Sequence, residues 1–115
     1  MDSILTSIKK LLGIAQECTD FDMDLIIHIN SVLMILTQLG VGPSEGYFIE
    51  GDQDFWEDFL KDDLNKLEAV RTFIYLKVRL IFDPPSNSSV IESINRTISE
   101  LEWRLNVAAE SNTNS

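Results

Sequence analysis

The chain has 115 residues, of which 44% are hydrophobic and 24% charged, the balance of one folded domain rather than of a disordered chain. With 19 acidic against 9 basic residues the formal net charge is -10; no dense Lys/Arg run occurs, which excludes a tight nucleic-acid grip through clustered phosphate contacts but not a surface past which DNA slides by repulsion. A single cysteine, Cys18, excludes an intramolecular disulfide, offers no Cys/His cluster for a metal, and implies a reducing compartment.

The opening stretch MDSILTSIKKLLG places an acid at position 2 and both lysines after the first apolar residues, the wrong order for a signal peptide, so a cytosolic chain is expected. The Asn-x-Ser/Thr matches at Asn87 and Asn95 are then chance occurrences. Residues 3 to 12 read as a short amphipathic helix carrying Ile4, Leu5, Ile8, Leu11 and Leu12 and closed by Gly13. Residues 22 to 39 form a second helix, opened by acids and stopped at Gly40 with Pro43 beyond. On a helical wheel Asp24, Ser31 and Gln38 make one narrow polar strip flanked by His28, so this helix is expected to be buried on most of its perimeter.

Four of the five glycines fall in residues 40 to 53, which predicts a loop or a small β-hairpin around YFIE. Asp54 and Glu57 then resemble a capping box that starts one or two helical turns tucking Phe55, Trp56, Phe59 and Leu60 under the longer helices. A third long helix runs from about Leu64 to Phe82 and must end there, because Pro84 and Pro85 cannot continue it. Its polar arc holds Asn65, Glu68, Arg71, Thr72, Tyr75 and Arg79, with apolar flanks on both sides and Lys66 and Lys77 between them; such a helix is central, its lysine stems lying along the seam and their ammonium groups reaching out to water. Ser89 and Glu92 suggest a capping box for the last helix, whose Ile91, Ile94, Ile98, Leu101, Leu105 and Ala108 recur at spacings of three and four over about 20 residues, some 30 Å. Glu92–Arg96 and Glu100–Arg104 are expected i,i+4 pairs. The fold class is all-α: a small bundle with two or three long helices, a short N-terminal helix, the middle loop or hairpin and a long C-terminal helix. One domain spans 1–110 and a flexible polar tail occupies 111–115.

Little in this pattern offers chemistry. Asp20, Asp22 and Asp24 mimic the start of a calcium loop, but the sixth position is Leu25 instead of Gly and the twelfth is Ser31 instead of Glu. His28 is the only histidine and sits on the second helix; phosphate-binding, paired-His and dinucleotide motifs are lacking, so no enzyme, metal or cofactor is expected. Trp103 is the informative residue. On the last helix it points away from the Ile/Leu stripe beside Arg96 and Val107, and either packs under the N-terminal helix or loop or forms an oligomer or partner contact.

The segments IKKLLGI, DFDMDLIIHINSVLMILTQLGVGP, LEAVRTFIYLKVRLIFDPPSNSSV and ISELEWRLNV together resemble the small head-to-tail connector, or adaptor, proteins of tailed bacteriophages, over roughly residues 5 to 107. YLKVRLIFDPP and ELEWRLN are the most specific stretches. The resemblance implies a mostly helical subunit of the virion neck, assembled in the bacterial host cytoplasm into a ring of about twelve copies closed by heterologous contacts. The partners it implies are the portal protein at the capsid vertex and the next neck, or stopper, protein, with DNA passing through the channel and neither membrane nor catalysis involved. No short family motif transfers portal binding residue by residue, so Arg96, Trp103 and Val107 rest on the wheel argument alone. Without the resemblance, the residues allow a second reading: a cytosolic, non-enzymatic helical module that binds a partner through the same apolar surfaces.

Overall fold

A computed structural model describes residues 2–114, with side-chain surroundings for residues 2–110. Five α-helices follow in order: α1 (Ile4–Leu12), α2 (Asp22–Gln38), the one-turn α3 (Trp56–Leu60), α4 (Leu67–Phe82) and α5 (Ser88–Asn114). A 3-10 segment, Lys61–Lys66, joins α3 to α4. The third long helix thus begins three residues later than its pattern suggests, because the backbone breaks helical geometry at Asp63. Helix α5 covers 27 residues, about 40 Å; the side chains of the expected tail, 111–115, lie outside those described.

The stops read from the sequence hold. Gly13 takes φ 79° and donates to Lys10 O while Ile14 donates to Lys9 O, closing α1 in the left-handed cap that glycine adopts without strain. Pro84 and Pro85 end α4. The start signals fared less well. Asn87, not Ser89, caps α5, its side-chain oxygen accepting from the Ser89 amide at 2.8 Å. Asp54 does not start α3 either: its carboxylate accepts from the Glu50 and Gly51 amides and closes the preceding turn, while Asp58 accepts from the Phe55 amide.

The central helix is α4, which packs on α1, α2 and α5 and buries Val70, Phe73, Ile74 and Val78. Phe21 meets Phe82 edge-on at 5.3 Å, so the start of α2 lies at the end of α4 and the two run antiparallel. The turn at 83–87 returns the chain so that α5 is antiparallel to α4; Asn106 and Ala109 come against Leu39 and Gly40 at the far end of α2. From α5 the core receives Ile94, Ile98, Leu105 and Ala109, close to the expected stripe, with Ala109 in place of Ala108. Lys77 lies over the Phe73 ring, 5.7 Å from its centre, whereas the Lys66 side chain is nearly buried, its ammonium 3.6 Å from Asp63 instead of reaching out to water.

A five-residue helix such as α3 has no stability of its own. It persists because Trp56 and Phe59 are fully buried, each contributing about 2–3 kcal/mol, and because the Trp56 indole N–H donates to Ser7 Oγ at 2.9 Å. Ser3 caps α1 through the Thr6 amide, and the Ile4 amide donates to Asp54 O, which ties α1 to the same segment.

Residues 40 to 53 are a loop; among the described residues no strand forms, only an isolated bridge between Ser3 and Phe55. The reason lies in Asn30 on α2. Its amide donates to Ile49 O at 3.0 Å and accepts from Ile49 N at 2.8 Å, supplying both bonds that a neighbouring strand would make. Gly42, at φ 83°, passes so close to the Phe59 ring that an added Cβ would lie 2.3 Å from it. Asn30→Ala leaves both Ile49 groups without partners and should destabilise the fold by about 1–3 kcal/mol. Hydrogen exchange would show the Ile49 amide losing protection; an unchanged amide would mean that the clamp is dispensable.

Candidate assembly surfaces

The outward face of α5 carries all three residues singled out from the sequence. Arg96, Trp103 and Val107 lie at helical spacings of seven and four, and all are exposed. Trp103 is 67% exposed, so it does not pack under the N-terminal helix or the loop. It borders a shallow hollow with Leu39, Ser99, Glu102 and Asn106. The expected Glu92–Arg96 pair does not form, whereas Arg104 binds Glu100 at 2.7 Å. Of the nine lysines and arginines, only Arg96 and Lys61 have no ion pair, side-chain hydrogen bond or ring contact among the described residues.

A second apolar surface was not anticipated. The α2 helix packs on α1 and α4, and among the described residues nothing covers Met23, Ile27 and Met34 on its outer side, which are 73%, 57% and 50% exposed. These three flank the strip of Asp24, Ser31 and Gln38, which is exposed as expected. Their spacings of four and seven are those of a core face, and sequence periodicity alone cannot tell a covered face from an uncovered one. Exposed Phe48 follows on the loop that Asn30 clamps to this helix.

Between the end of α1, the first turns of α2 and the end of α4 lies a groove of about 530 Å³. Leu12, Ile14, Phe21, Ile81 and Phe82 make its apolar walls, and Asp24, His28 and Asp83 its polar edge. None of these residues is a hydroxyl or thiol nucleophile, so His28 has no triad to serve here. Neither Asp24 nor Asp83 has an ion pair among the described residues.

The acidic run from Asp52 to Asp63 exposes Asp52, Glu57, Asp58 and Asp62 to solvent. Its field reaches Tyr47, whose ring packs on Phe59 at 5.4 Å. Burial first, then the charges of Asp54 and Asp58, push the Tyr47 phenol from 10.0 up to about 12. A folded value above the unfolded one means that this contribution to stability is complete below about pH 10 and is lost as pH rises towards 12. Phenolate absorbance of a Tyr75→Phe variant should therefore show a midpoint near 12, and a midpoint at 10 would contradict this burial.

Among the described residues no group of three or more His, Cys, Asp or Glu side chains could hold a metal, and no helix is long and apolar enough to cross a membrane. The exposed apolar residues of α2 and α5 are suited to protein contacts. A family model described as phage connector protein matches residues 4–112. Comparison with curated proteins and with solved structures gives no match. The family match takes in α1 to α4, most of α5 and both exposed apolar faces, and it decides between the two non-enzymatic readings. The chain belongs to the phage connector protein family, and its role is structural, at the junction of head and tail.

Proposed function

We propose that this chain is a ring-forming adaptor of the phage neck. Copies assemble in the host cytoplasm on the portal at the capsid vertex, extend the DNA channel and present a platform for the next neck or stopper protein. The observation that carries this reading is the match to the connector family over residues 4–112. Two exposed apolar faces on a small helical domain support it, since a monomer has no use for an uncovered tryptophan at 67% exposure. The net charge of -10 suits a conduit that must not hold DNA, because a wall of like sign lets the phosphate backbone slide. The ring of about twelve copies follows the cyclic, heterologous logic of such assemblies.

Deleting the gene from the phage that carries it tests this directly. Electron microscopy should show DNA-containing heads without tails, and supplying the protein in trans should restore tailed particles. Normal tailed, infectious particles from the deletion would overturn the reading.

A further inference from the structure

We propose that Trp103 of one copy seats in the groove between α1, α2 and α4 of the next copy, with Arg96 set against Asp24 and Asp83. This rests on the ring reading above. A heterologous ring needs two different surfaces on each chain that fit one another. The exposed face of α5 offers an aromatic anchor and a cation; the groove offers apolar walls and two carboxylates without ion pairs among the described residues.

Three observations support this pairing. Copies with a net charge of -10 repel, so a stable contact requires local attraction, and Arg96 is one of only two cations left without a described partner. At about 530 Å³ the groove is large enough to receive an aromatic side chain, and Phe21, Ile81 and Phe82 would enclose its ring. The two surfaces also lie apart on the molecule. Trp103 sits near Leu39 at one end of α2, while the groove lies at the other end, where Phe21 meets Phe82. One copy cannot satisfy its own groove.

Disulfide trapping on portal rings tests the pairing. In a Cys18→Ser background, Ser99→Cys marks the Trp103 face and Ile81→Cys the groove; both positions are exposed, so neither substitution disturbs the core. Within one copy the two sites lie roughly 15 Å apart along the antiparallel helices, too far for a bond, which needs Cα atoms within about 7 Å. Mild oxidation of portal-bound protein should give a ladder of covalent multimers with the double variant and not with either single one. Self-linking of Ser99→Cys alone would indicate a twofold contact and overturn the proposal. Portal-bound protein that gives no ladder would overturn this pairing and leave the ring reading intact, whereas failure of the wild-type chain to join portal at all would overturn both. As an independent check, Arg96→Glu should weaken assembly at least tenfold and Asp83→Arg in the same chain should recover most of it; loss without recovery would count against the pairing.

Discussion

Trp103→Ala should abolish most assembly while leaving the monomer folded. The side chain is 67% exposed and lies outside the core, so its removal should change monomer stability by no more than about 0.5 kcal/mol. At an interface, a tryptophan that anchors a desolvated pocket is worth about 2 kcal/mol or more, roughly 30-fold in affinity per contact. The far-UV circular dichroism spectrum and melting temperature should thus match wild type while recruitment to portal rings drops. Val107→Ala, on the same face but less exposed, should have a smaller effect in the same direction. A Trp103→Ala chain that assembles normally would remove α5 from the interface, and one that unfolds would mean that Trp103 supports the fold.

The largest expected effect on stability comes from Lys9. Its side chain is only 4% exposed, and its ammonium donates to Gln16 O at 3.0 Å and Cys18 O at 2.6 Å while lying 2.9 Å from Asp22 Oδ1. The Asp22 contact is one of charge rather than an aligned hydrogen bond. One cation therefore closes the α1–α2 connection, where the carbonyls of Gln16 and Cys18 turn inward. Removing one partner of a buried ion pair costs about 3–5 kcal/mol, because the groups left behind stay desolvated. Lys9→Met keeps the stem and loses only the ammonium, so it should be nearly as damaging as Lys9→Ala, lowering the melting temperature by about 12–20 °C. A Lys9→Met protein within 1 kcal/mol of wild type would mean that packing of the stem, not its charge, holds the connection.

Lys9 also marks where reading the sequence stops. Helix positions followed from periodicity, and the stops followed from Gly13, Gly40 and the Pro84–Pro85 pair, because these features act locally. The central place of α4 was readable from its two apolar flanks. Lys9 looked like the polar side of an amphipathic helix; it is buried because the segment from Ile14 to Phe21 folds back over it, a tertiary event without a local signal. Asn30 is a similar case. One amide in an apolar helix appears incidental until the loop at Ile49 arrives, and then it replaces a strand.

The assembly surfaces were half legible. Trp103 stood out because it lies off the Ile/Leu stripe of α5, a contrast within one helix. Met23, Ile27 and Met34 gave no such contrast, since apolar residues surround them on every side of α2 but one; only the placement of α1 and α4 leaves them uncovered. Arg96 was assigned to Glu92, yet its freedom is what makes it available to a neighbour. Both capping signals were displaced by a neighbour: Asn87 accepts from the Ser89 amide and Asp58 from the Phe55 amide.

A structural neck component that assembles on the portal must bind portal rings in a fixed number of copies. Native mass measurement of the purified protein, alone and mixed with its cognate portal rings, tests it most directly. Portal complexes should be heavier by a fixed, ring-closing number of copies, about twelve, each added as an intact chain. Portal rings of unchanged mass beside a chain that remains monomeric would contradict it.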